Sequence, residues 1–178
     1  MSCHTYSTRR IGLVATTDSA MQTPTVTAIS PDQRDLALSV FTMAFAADPV
    51  MRWVFANAQN CLRAFPEFAN AFGGGAIEQG TAYIADGSKG AAFWLPPGVE
   101  SDVEGMGAMI AEYADESALV DAEGFMEQMA RFHPDDANCW YLPIIGVDCA
   151  HQGQGFEIMG VIQHGKSPAM TPMFRPAR

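Results

Sequence analysis

Residues 140–156 constrain the fold more than any other stretch: Trp-Tyr-Leu-Pro-Ile-Ile-Gly-Val-Asp-Cys-Ala-His-Gln-Gly-Gln-Gly-Phe. The first half, Tyr141 to Val147, is a short apolar run between polar and turn residues, the pattern of a buried strand. The second half carries Gly153 and Gly155 one residue apart, flanked by Gln152 and Gln154. A strand opening into such a turn offers successive backbone N–H groups to phosphate oxygens, and a following helix adds its positive N-terminal end. Gln152 to Phe156 therefore form a candidate anion cradle.

The chain of 178 residues suits one domain with a real core better than two. Twenty acidic against ten basic residues give a net charge of -10. No basic stripe or basic helix accompanies it, which argues against a nucleic-acid or anionic-membrane partner. An acidic protein is compatible with a cationic substrate such as an amine, although many soluble proteins are simply acidic. No apolar run reaches the length of a membrane span. The four cysteines, Cys3, Cys61, Cys139 and Cys149, include no Cys-x-x-Cys pair. No metal site is expected from them, and reduced thiols in a cytoplasmic setting are. Arg9 and Arg10 precede the apolar run Ile11 to Ala15, too brief for a secretory leader.

Residues 1–22 are Ser/Thr-rich and aperiodic and are expected to be a disordered extension, with Met21 as an alternative start to Met1. A strand is expected over Thr25 to Ile29. Ser30-Pro31-Asp32-Gln33 then opens a helix as a capping box, and Leu36, Val40, Phe41, Ala44 and Phe45 recur at core-facing spacing. Asp48-Pro49 ends it. Val50 to Asn57 reads as a short apolar helix or turn. Cys61 to Gln79 reads as a second helix with Leu62, Phe65, Phe68, Ala69 and Phe72 on one side, weakened by Pro66 and by Gly73-Gly74-Gly75. No Lys-Ser/Thr follows the triplet, so a P-loop is excluded and a helix end or kink is expected. Thr81 to Ala85 and Ala91 to Leu95 read as a hairpin around Asp86-Gly87-Ser88. Two Met- and Glu-rich helices follow, Val103 to Tyr113 and Leu119 to Phe132, with Met106, Met109, Phe125, Met126 and Met129 as packing residues and the acids between them on a solvated face. Residues 157–178 turn basic and are punctuated by Gly160, Gly165, Pro168, Pro172 and Pro176, so an irregular, disordered tail is expected.

The strand Tyr141 to Asp148 followed by His151-Gln152-Gly153-Gln154-Gly155-Phe156 resembles the acetyl-CoA-binding core of the GNAT (GCN5-related) N-acetyltransferase superfamily. That pattern is Gln/Arg-x-x-Gly-x-Gly/Ala directly after a central strand. Gln152 and Gly155 match, whereas Glu157 stands where Gly or Ala belongs. The dinucleotide fingerprint fails, because Ile158 occupies its third glycine position. The order of elements over about residues 23–156 also fits. The resemblance implies an α/β (α+β) fold with a mixed central sheet flanked by helices, and an incomplete domain over 23–156. It also implies a further strand, a helix and a terminal hairpin that 157–178 does not pattern, along with the tyrosine usual as general acid. No tyrosine follows Tyr141. A truncation or a frameshift at residue 157 is expected to account for this, the rival being a genuinely short or divergent protein: one inserted G turns a GAA codon for Glu into GGA for Gly. Sequencing the DNA across that codon tests it, and a stop or featureless composition in the other frame removes it.

The activity implied is acetyl transfer from acetyl-CoA, as cosubstrate, to a primary amine on a small molecule or peptide. By resemblance, the backbone of Ile145, Gly146 and Val147 would pair with the pantetheine arm, and Gln152, Gly153, Gln154, Gly155 and Phe156 would cradle the pyrophosphate. The catalytic residues are not carried over. Asp148 and His151 are the nearest titratable groups, each read first as a turn or loop residue, as is His133. Glu78 is read as a solvated helix end that could face an acceptor. Two other readings stay open: a catalytically inactive, truncated remnant, and a small interaction protein whose Gly-x-Gly is only a turn. Without later strands, Tyr141 to Val147 would present an open edge, and a homodimer through that edge is expected.

Overall fold

A computed structural model describes residues 24–132, 138–147, 157–158, 160–170 and 173–174. The chain is mixed α/β. Strands β1 (Val26–Ala28), β2 (Ala82–Ala85), β3 (Gly90–Leu95) and β4 (Tyr141–Val147) form one sheet in that order, antiparallel throughout. This arrangement departs from the expectation of a mixed sheet: every described neighbour in it runs antiparallel.

The Asp-Gly signal gives the expected hairpin between β2 and β3. Asp86 and Gly87 both take positive φ, 46° and 78°, which suits the right-handed twist of the flanking strands. Asp86 also ties the turn to the strand beside it. Its Oδ1 accepts from Thr25 N at 2.8 Å while its own N–H donates to Thr25 O at 2.8 Å.

Between β1 and β2 lie a 3-10 turn (Pro31–Gln33) and helices α1 (Arg34–Phe45), α2 (Pro49–Val54), α3 (Ala58–Gly73) and α4 (Gly75–Glu78). Ser30 and Gln33 form the expected capping box. The buried face of α1 is Ala37, Leu38 and Phe41, with Phe45 half-buried beside it, while Leu36 is 42 % exposed. The face is thus turned by about one residue from the periodicity reading. Ala37 is the reason: it lets the helix lie close on the sheet, so that Phe41 meets Phe93 edge-on, ring centroids 4.8 Å apart.

Helix α3 runs through Pro66 without a break. Proline removes the N–H that would bond the Leu62 carbonyl, and that residue is 60 % exposed, so water can serve the orphaned oxygen. The same exposure corrects the placing of Leu62 on the buried side. The glycine triplet ends α3 as expected. A Cβ on Gly73 would sit 3.0 Å from both Phe93 Cδ2 and Pro143 Cγ, so glycine there lets the helix touch the sheet.

Helices α5 (Val103–Tyr113) and α6 (Glu116–Ala130) follow, capped by Asp102 and Asp115, whose carboxylates accept from Gly105 N and Ser117 N. Met106 and Phe125 are buried, as packing residues should be, whereas Met126 is 50 % exposed. No helix among the described residues is long and apolar enough to cross a membrane.

The core is one cluster joining Phe41, Phe65, Phe93, Leu95 and Ile144, with a smaller one around Phe55, Cys61 and Ala64. The register pairs Phe93 with Ile144 and Ala91 with Gly146, and all four are buried under the helices. The next row, Tyr83–Ala92–Ile145, points to the other face, where Tyr83 and Ile145 are 36 % and 47 % exposed. Helices cover one face of the sheet and leave these side chains open on the other.

Within the segment expected to be a disordered tail, the structure places a short ladder. Strand β5 (Glu157–Ile158) pairs antiparallel with β6 (Met173–Phe174), and Ile162 bridges Met170. Ile162 and Ser167 are buried. Gln128 of α6 exchanges two hydrogen bonds with the Gln163 backbone, and Lys166 N donates to Asp121 at 2.8 Å. Residues 160–170 are therefore docked on α6 by paired polar groups, a kind of order that hydrophobic periodicity does not report.

Candidate functional site

Strand β4 matches its sequence boundaries, Tyr141 to Val147, and is the terminal strand of its sheet. Among the described residues no strand pairs with its outer edge. A terminal strand leaves alternate N–H and C=O groups unpaired, and these can take up an extended ligand as an added strand.

The C-terminal half of β4 borders a cavity of about 280 Å³. Ala44, Phe45, Ala47 and Asp48 line it from the junction of α1 and α2, and Ile145, Gly146 and Val147 line it from the strand. Gly146 makes the junction possible. A Cβ there would lie 2.9 Å from Phe41 Cδ1 and 3.0 Å from Ala44 Cβ, so any side chain would push α1 off the strand. At Gly90 the same economy of space brings β3 against β4: a Cβ would meet Val147 Cγ1 at 2.7 Å.

Asp48 is the one charged residue among the described lining residues. Its Oδ1 accepts from Val50 N and Met51 N, both at 2.9 Å, which caps α2, while Oδ2 takes neither bond. Its own N–H donates to Phe45 O at 3.0 Å, fastening the cap to the last turn of α1. Asp48, Ala44, Phe45 and Ala47 are absent from the residues singled out for function from sequence alone, where Asp48-Pro49 reads as a helix stop. The available signal was the Asp-Pro pair itself: an aspartate before an N1 proline both ends one helix and caps the next.

Of the residues picked out from sequence, the structure brings Ile145, Gly146 and Val147 to one cavity. Gln152, Gly153, Gln154, Gly155 and Phe156 lie outside the described residues, as do Asp148, His151 and His133. Glu78 is elsewhere. It ion-pairs with Arg34 and borders a second cavity of about 240 Å³, lined also by Asn70, Glu100 and Asp102. Arg34 donates to Asn70 Oδ1 as well. Among the described residues no group of three His, Cys, Asp or Glu side chains is placed to hold a metal ion.

At the other end of β4, Tyr141 packs edge-on against Phe72, ring centroids 6.2 Å apart. Burial pushes its phenol up to about 12, because the phenolate would lose its water. It therefore stays neutral at physiological pH.

The C-terminal half of β4 thus borders a half-open groove whose volume is just below the roughly 300–1,000 Å³ of complete small-molecule sites. Compared with known proteins, the chain matches no family model and no curated sequence.

Proposed function

We propose that the chain is a GNAT-like acyltransferase that moves an acetyl group from acetyl-CoA to a primary amine. The observation that carries this reading is the meeting of a strand edge that no described strand pairs with, Ile145–Val147, and a half-open groove bordered by the α1–α2 junction. The strand is the one whose sequence runs on into Gln152-Gly153-Gln154-Gly155-Phe156.

Acetyl-CoA, when bound, supplies the acetyl group as a thioester. The backbone of Ile145, Gly146 and Val147 would hold the pantetheine arm as an added strand. By the resemblance, Gln152, Gly153, Gln154, Gly155 and Phe156 would cradle the pyrophosphate through backbone N–H groups. The amine nitrogen bonds to the carbonyl carbon, the carbon–sulfur bond breaks, and the nitrogen releases a proton as sulfur gains one. The reading places the protein in the cytoplasm, where its thiols stay reduced.

Calorimetry of the full chain with CoA tests the cofactor half: saturable binding that Gly155→Arg weakens at least about tenfold supports it. Absence of binding at millimolar CoA overturns it. Thiol release from acetyl-CoA in a pool of amines tests the transfer, and binding without release leaves an inactive remnant. Sizing the chain with and without CoA shows whether a homodimer competes for the same edge.

A further inference from the structure

We draw no further inference here: the strongest candidate, the sheet face away from the helices, where the cross-strand rows Val26–Ala85–Gly90–Val147 and Ala28–Tyr83–Ala92–Ile145 carry no charged side chain, is an unpartnered apolar face, and nothing in the structure shows what covers it.

Discussion

The cavity bordered by α3 and α4 is lined by Arg34, Asn70, Glu78, Glu100 and Asp102, whereas the cavity beside β4 has Asp48 as its one charged residue. In the first, polar groups answer one another: Arg34 holds Asn70 and Glu78, Asp102 caps α5, and Ser101 Oγ donates to Phe72 O at 2.6 Å. In the second, the polar material is a strand edge unpaired among the described residues, a helix end and a carboxylate that caps α2. The contrast teaches that density of charge is a poor guide to a site in this chain. In both, a capping aspartate, Asp102 for α5 and Asp48 for α2, gives one carboxylate oxygen to backbone N–H groups, so what distinguishes the second is its strand edge rather than its charge.

The largest effect should come from removing what both cavities rest on. Phe93 is fully buried, faces Phe41 edge-on and lies under Gly73. Phe93→Ala should cost about 3–5 kcal/mol in urea unfolding and degrade both cavities together. A smaller loss, or one confined to β4, would show that the two regions do not share a frame. Next in size, Gly146→Val should cost about 1–3 kcal/mol by forcing Phe41 and Ala44 away from β4. It should abolish binding beside β4 while leaving the Arg34–Glu78 pair intact, which amide resonances of Asn70 and Glu78 can report.

How much of this was legible beforehand follows the same division. The β4 limits, the Asp86-Gly87 hairpin and the cap at Ser30 were readable because each is a local rule: a bounded apolar run, turn chemistry, capping. The passage of α3 through Pro66 was not, since it depends on Leu62 facing water, a tertiary fact. Nor was the docking of 160–170 on α6, where Gln128, Asp121 and Lys166 supply polar contacts with no period. At the site, Ile145 to Val147 could be picked from the run into the glycine turn. Asp48 could not, because its place depends on α1 folding back against β4 across about a hundred residues of chain.

Below these in size lies Asp48 itself. Asp48→Ala removes the cap of α2 and should cost about 1 kcal/mol, while Asp48→Asn should cost only a few tenths. Thermal melts of the two variants therefore divide capping from charge. Equal losses would mean that the carboxylate charge, rather than the cap, stabilises α2. Glu78→Gln, in the other cavity, should cost no more than about 1 kcal/mol, because the ion pair is partly exposed and screened, with side-chain exposures of 26 % and 57 %. It should leave the CoA titration unchanged. Any change in it would mean that the polar cavity communicates with β4.

The smallest effect at neutral pH belongs to Tyr141, and it bears on how the two ends of β4 differ. Its ring leans on Phe72, which lines the polar cavity, while Ile145 to Val147 line the other. The phenol is raised from 10 in the unfolded chain to about 12 in the folded one, so the folded state prefers the protonated form. Its contribution is complete below pH 10 and is lost as pH rises from 10 through 12, since the unfolded chain gives up its proton first. Phenolate absorbance should show a step at about 12, and Tyr141→Phe should remove that step together with the matching fall in stability. Titration near 10 would mean water reaches the ring. The Tyr141 end of β4 would then be as open as the Asp48 end, and only charge would distinguish the two cavities that the strand joins.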